Sequence, residues 1–188
     1  MPTPNPQALA FLRTRRSRPA KTLTTPVPDR DALLPLLEAA ARSPDHGKLE
    51  PWRFIVLERA ALVRIAAAVG VRAAETGAEP EKMHAQFGTA HLAVAVVASP
   101  KPSEKIPQVE QAMSAGAVCL ALLNAALASG WGANWLTGWA AHDPIFCQAH
   151  LGLKEGEHVA GFLHIGSAQA TPPARPRPPR CSPPPPAA

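Results

Sequence analysis

The stretch Arg13-Thr14-Arg15-Arg16-Ser17-Arg18 crowds guanidinium groups and hydroxyls into one short segment. Guanidinium forks donate paired N–H bonds to phosphate oxygens and a serine hydroxyl adds another donor, so this grouping suits the grip of a phosphate. The same composition also describes a solvated basic loop, and the cluster alone does not separate the two.

Other reactive residue types can be sorted by spacing. Asp45-His46 supplies two members of a Ser-His-Asp triad, but the chain has no GxSxG elbow, and neighbours in one loop cannot orient each other as a triad requires. His84, His91, His142, His150, His158 and His164 show no HExxH or paired metal spacing, which leaves them surface or core roles. A GxGxxG phosphate loop is also missing, which argues against a dehydrogenase of the Rossmann kind. Cys119, Cys147 and Cys181 are odd in number and lack CxxC spacing, so neither a disulfide framework nor a zinc site is expected, and a reducing, cytoplasmic setting fits.

Charge narrows the partners further. The formal net charge is +5, from 19 Lys and Arg against 14 Asp and Glu. Eight of the basic residues are Arg13, Arg15, Arg16, Arg18, Lys21, Arg175, Arg177 and Arg180, so the basicity sits at the two ends. A nucleic-acid face needs clustered charge with stacking aromatics, whereas aromatics make up 5% and tyrosine is absent. A small anionic ligand is the better expectation, with no nucleic acid partner.

The elements that must hold these residues follow from periodicity. Gln7 to Thr14 predicts a short helix carrying Leu9 and Leu12, and residues 15–28 a loop broken by Pro19, Pro26 and Pro28. Asp29 or Asp31 caps a helix to about Arg42, with Pro35 in its first turns, followed by a polar loop to Pro51. Strands are expected at Trp52 to Leu57, at His91 to Ser99 as an apolar run covered on both faces, at Gly132 to Thr137, and at Val159 to Ile165. Helices are expected at Ala60 to about Thr76, Val109 to Ser129 and Pro144 to Leu151. The helix from Val109 is apolar nearly all round, which places it centrally or at a subunit interface. Its longest apolar stretch, Met113 to Ala128, falls short of the roughly 20 residues of a membrane span and carries Ser114 and Asn124, so no membrane association is expected.

No acidic residue precedes Asp29, a composition shared with transit peptides, but no apolar segment of an export signal follows the twin arginines. Nine of the 23 prolines fall between Pro172 and Pro186. That run divides the chain into one domain over residues 1–170 and a Pro/Arg-rich tail over 171–188, expected to be extended or disordered.

Several segments in register resemble the nitroreductase family, in particular its compact bacterial subgroup. They are Arg15-Arg16-Ser17; Arg42-Ser43-Pro44-Asp45-His46 leading to Glu50-Pro51-Trp52-Arg53-Phe54; Ile106-Pro107 with Glu110-Gln111-Ala112-Met113-Ser114-Ala115-Gly116; Gly130-Trp131-Gly132-Ala133-Asn134-Trp135; and Val159 to Gly166. The resemblance implies an α+β fold with a central, mostly antiparallel sheet flanked by helices. It implies an entwined homodimer whose flavin sites draw on both chains. It also implies FMN as cofactor and NADH or NADPH as electron donor, with nitroaromatic, quinone-like or other electron-poor small molecules reduced by a ping-pong mechanism. Two rivals stand beside it: a flavoprotein of the same fold with another second half-reaction, and a non-catalytic binding protein using its basic N-terminus and proline tail.

Carried over by position, Arg15, Arg16 and Ser17 would contact the FMN phosphate and ribityl chain, and Arg42 and His46 would complete the site, from the same chain or across the dimer. Trp135, Leu136 and Thr137 match a further flavin-contacting segment. Ala125, Ala126, Leu127, Ala128, Ser129 and Gly130 correspond to a nicotinamide-cofactor region. Two departures stand out: Leu136 where the pattern has arginine, and Glu50 where it has glutamine. Arg175 or Arg177 of the tail could replace the lost contact at 136, and Glu50 is expected to face solvent.

Overall fold

A computed structural model describes residues 3–77, 79–169 and 172. Helix α1 (Pro6–Thr14) begins on Asn5, whose side chain accepts from the Ala8 N–H, and buries none of its residues. Residues 15–28, expected as loop throughout, hold a single 3-10 turn and the two-residue strand β1 (Leu23–Thr24). Helix α2 (Arg30–Ala41) takes Asp29 as its cap, the carboxylate accepting from the Ala32 N–H. Pro35 lies in the second turn, within the first turns as expected, and the helix forgoes one backbone bond there.

Strand β2 (Trp52–Glu58) leads into α3 (Arg59–Thr76), which ends on Gly77 in the left-handed conformation. The helix α4 (Pro80–Gly88) was not expected; it is short and starts with proline at its first turn, a position that needs no N–H. Then come β3 (Leu92–Ala98), α5 (Gln108–Ala128), β4 (Gly132–Leu136), α6 (Pro144–Leu151) and β5 (His158–Ala168).

All the strand pairs are antiparallel. The sheet runs β1-β5-β3-β2, with β4 also paired to β5. Every residue of β3 is buried because both of its faces are covered. Ala93, Ala95 and Val97 join Leu62, Val69, Phe87, Phe146 and Phe162 beneath α3, α4 and α6. Leu92, Val94 and Val96 join Leu33, Leu36, Val118, Leu122, Leu163 and Ile165 beneath α2 and α5. Each buried valine or leucine here contributes about 1.5–3 kcal/mol through the apolar surface it hides from water. The α+β expectation holds, with the sheet as the middle layer.

Helix α5 has 21 residues, long and apolar enough by length and composition alone to cross a membrane, and it is not buried all round. Ala115, Val118, Cys119, Leu122 and Ala126 face the core, while Val109 is 58%, Met113 68% and Leu120 42% exposed. The inner face packs on α2, β3, β4 and β5, and the outer face is an apolar stripe at helical spacing.

Candidate functional site

The basic turn begins where α1 stops, with the Arg15 N–H donating to the Phe11 carbonyl at 2.7 Å. Three residues on, the Arg18 N–H donates to the Ala133 carbonyl at 2.8 Å, and the Asn134 side-chain amide donates to the Arg18 carbonyl. Residues over a hundred positions apart in sequence are thus tied backbone to strand, and the turn is held along the open edge of β4. Arg15, Arg16 and Arg18 are half-buried and Ser17 is exposed. Among the described residues no carboxylate pairs with any of these three guanidinium groups. One nitrogen of Arg18, Nη1, is sealed from solvent without a hydrogen-bond partner. Such an unbalanced set of donors is the chemistry of an anion site.

Strand β4 gives this turn its neighbours. Trp135 is 36% exposed; its indole N–H donates to the Ala160 carbonyl at 3.3 Å, and its ring lies where a Cβ on residue 161 would be, so Gly161 is required there. Because the Ala133 carbonyl points away from β5, antiparallel alternation points the Trp135 N–H to the same open edge. Leu136 and Thr137 are half-buried, and the Thr137 carbonyl accepts from the Gln86 amide of α4 at 3.2 Å. A cavity of about 350 Å³ opens here, lined by Ala20, Lys21, Ala85, Gln86, Asn134 and Leu136. The donor set of guanidinium groups, a hydroxyl and a strand N–H beside an apolar hollow fits a phosphorylated aromatic cofactor such as FMN.

Arg42 and His46 belong to a second assembly at the opposite end of α5. Arg42 closes α2 with its side chain exposed. Asp45 is occupied as a brace, its carboxylate accepting from the Leu49 and Glu50 N–H groups, which removes any triad role. His46 Nδ1 lies 2.8 Å from the Glu110 carboxylate. Gly47, at φ +77°, packs so close to Ile106 that a side chain would collide. Gln111, buried, donates to the Lys101 and Ile106 carbonyls and accepts from the Lys101 N–H, folding the 101–106 loop onto the helix. Segments that look separate in sequence therefore form one structural unit. Glu50 faces solvent as expected, in the left-handed region at φ 47°.

The two assemblies do not meet within one chain. His46 is fixed at Glu110, whereas the Trp131 N–H that opens β4 donates to the Ala126 carbonyl near the other end of the helix. At about 1.5 Å per residue the two anchor points lie roughly 24 Å apart along the α5 axis.

Ala125, Ala126, Leu127, Ala128, Ser129 and Gly130 form the end of α5 and its turn, with the Ser129 N–H donating to the Ala125 carbonyl and Gly130 at φ +87°. Arg175, Arg177 and Cys181 lie outside the described residues. Burial pushes the Cys119 and Cys147 thiols up to about 12 and about 11, so neither is a nucleophile near neutrality. His164 is a core residue whose ring nitrogens have no partner, and burial lowers its pKa to about 4, keeping it neutral. A larger cavity, about 620 Å³, lies between the start of α2 and the ends of β2 and β3. Of its charged rim, Asp29 caps α2 and Arg59 donates to the Gly88 and Ala90 carbonyls, while Arg30 and Glu58 also line it.

The model of the nitroreductase family matches residues 12–167. The protein named "Putative NAD(P)H nitroreductase YdjA" of Escherichia coli (strain K12) is 35% identical over 166 residues, covering 86% of this chain and 88% of its own length. A similarly named Haemophilus influenzae protein is 35% identical over 164 residues, covering 85% and 88%. Among solved structures, a nitroreductase-like family protein from Bacillus cereus superposes with a TM-score of 0.75 at 25% identity, covering 95% of this chain and 94% of the other. A protein from Desulfovibrio desulfuricans described as "a putative nitroreductase in complex with fmn" gives 0.72 at 23% identity with 94% of both chains covered. The chain belongs to the nitroreductase family.

Proposed function

We propose that this chain is an FMN-dependent oxidoreductase that takes hydride from NADH or NADPH and reduces a small electron-poor acceptor, nitroaromatic or quinone-like, in ping-pong order. The observation that carries this reading is the set of unpaired arginines Arg15, Arg16 and Arg18, in a turn that the Arg18 main chain ties to the edge of β4. Family membership and the names of the 35% identical relatives support the redox activity and the nicotinamide donor.

Arg15, Arg16 and Ser17 would hold the phosphate and ribityl chain, and the segment Trp135, Leu136 and Thr137 would border the ring, with the Trp135 N–H directed at its edge. FMN, when bound, supplies a ring that accepts hydride from the nicotinamide and gives up electrons to the acceptor. The protein's part is to fix the cofactor, to keep positive charge near it, which favours its reduced anionic form, and to leave one open pocket that donor and acceptor use in turn. The turn from Ala125 to Gly130 is the proposed nicotinamide contact. Arg177 is a proposed further phosphate contact from the tail.

The working unit in this reading is a homodimer. Packing the exposed Val109, Met113 and Leu120 stripe of two α5 helices across a two-fold axis in antiparallel fashion brings the Arg42 and His46 end of one chain to the Arg15 end of the other. Met113→Glu would place a carboxylate in that seam; light scattering is expected to show monomer, with FMN affinity lost together with association. A variant that is monomeric and still fully FMN-loaded would contradict the shared site. Free, buried thiols at Cys119 and Cys147 accord with a cytoplasmic setting.

The test of function is the visible spectrum of the purified protein after incubation with FMN, followed by NAD(P)H oxidation assays with nitroaromatic and quinone acceptors. Flavin absorbance with acceptor-dependent oxidation is expected. A colourless protein that oxidises neither nucleotide would overturn the reading.

A further inference from the structure

We propose that residues 178–186 of the tail seat in the large cavity of their own chain, between α2 and the ends of β2 and β3, and cover its apolar wall. These residues lie outside the described part of the chain. They begin after Arg177, so its proposed phosphate contact is not part of this surface.

The cavity measures about 620 Å³, and its wall includes Val27, Pro28, Leu34 and Val56. Leu34 and Val56 are exposed there, although both are large and apolar. Strand β2 is the end of the sheet and pairs only with β3, so no further strand closes that side among the described residues. Of the charged groups on the rim, Asp29 and Arg59 have partners, whereas Arg30 and Glu58 form no ion pair among the described residues. The cavity thus offers an apolar bed, one open guanidinium and one open carboxylate.

The last strand delivers the chain to this wall. Ser167 donates to the Pro26 carbonyl from its N–H at 3.2 Å and from its hydroxyl at 2.8 Å, and the two residues after Pro26 are Val27 and Pro28 of the wall. Pro172, four residues beyond β5, is still half-buried. From there to Pro178 an extended chain spans roughly 19 Å at about 3.1 Å per residue, close to the roughly 18 Å length of the 12-residue helix α2. The cavity is within reach without any crossing to a second chain.

The segment also matches the cavity chemically. Six of its nine residues are proline. Proline rings hide apolar surface without losing side-chain rotamers, so their burial carries little entropic penalty. Each proline brings a carbonyl acceptor and no N–H donor, which suits a rim whose open donor is Arg30. Arg180 is the only charged residue of the segment, and it supplies a counter-ion for Glu58. An extended proline run laid along an apolar groove is an established mode of peptide docking.

Cys181, within the segment, makes the seat measurable, because Cys119 and Cys147 are buried. The full-length Leu34→Cys variant places a second reactive thiol in the wall. The full-length Thr22→Cys variant is its control, exposed and next to Leu23, which pairs with Ala168 at the end of β5, but outside the cavity. Under mild oxidation, Leu34→Cys is expected to link to Cys181 severalfold faster than Thr22→Cys, with the linked product at the mass of a single chain on denaturing gels. Equal rates, or a faster link in Thr22→Cys, overturn the proposal, because a tail without a seat reaches both thiols alike. A link between two chains also overturns it and assigns the cavity to the tail of a second copy. If Leu34→Cys does not fold, Val56→Cys carries the same comparison with the same outcomes.

Discussion

Two sets of arginines behave oppositely in this chain. Arg53 donates to both carboxylate oxygens of Glu157 at 2.9 and 2.7 Å, and Arg72 bridges Asp143 and Glu75. Arg59 satisfies two carbonyls at the end of α4. Arg53 and Arg72 join segments distant in sequence and are neutralised where they stand, and Arg59 finds its acceptors within the chain. Arg15, Arg16 and Arg18 also sit at a junction of distant segments, yet the joining is done through the Arg18 main chain and the guanidinium groups are left over. Where an arginine holds the fold, the fold supplies its acceptor; where it serves a ligand, the acceptor comes from outside.

That contrast can be broken by mutation. Arg15→Ala combined with Ser17→Ala is expected to weaken FMN binding by roughly tenfold to a hundredfold, through lost charge-assisted hydrogen bonds. The urea midpoint is expected to stay within about 0.5 kcal/mol of the parent, as for surface substitutions. Titration and urea unfolding read the two effects separately, and a large stability loss would move these residues into the structural set. Arg53→Ala should show the reverse, because it strands Glu157, whose side chain is only 5% exposed. The expected cost is about 2 kcal/mol, below that of a fully buried pair because Arg53 keeps part of its side chain in water, with FMN affinity unchanged.

A smaller effect sharpens the comparison through pH. The hydrogen bonds from Arg53 lower the Glu157 pKa from 4.5 to about 2. A lowered carboxylate contributes stability that is fully present above its unfolded pKa and is lost as pH falls from about 4.5 towards 2. Burial of His164 acts in a higher window, with stability present above about 6.5 and lost as pH falls towards 4. In urea unfolding followed against pH, Arg53→Ala should flatten the lower limb and leave the upper one. Flattening of both limbs would mean that Glu157 is not the group responsible.

Much of this architecture can be read from the sequence. The continuous run Leu92 to Ala98 reports a strand covered on both faces, and the caps at Asp29 and Gly130 report where helices begin and end. Helix α4 could not be read in the same way, since Phe87 is the one buried residue among those whose burial is described in a short polar segment, and the proline at its start signals a turn equally well. Strand β1 is two residues long and exists only through its partner Ser167-Ala168. For α5 the sequence left a central place and a subunit interface open, because composition does not say which apolar residues face a neighbour. Within the site, the basic turn was visible as a cluster, but the distinction between its arginines was not. It depends on bonds to Ala133 and Asn134, contacts no local pattern encodes.

The most direct measurement of the central claim is an equilibrium titration of the full-length protein with FMN, followed by flavin fluorescence and read together with particle mass. Saturation at one FMN per chain in a particle of two chains is the expected result, with the Arg15→Ala, Ser17→Ala variant shifted to weaker binding. FMN binding that is absent, or that proceeds undiminished without those two side chains, would contradict the assignment of the basic turn as the phosphate grip.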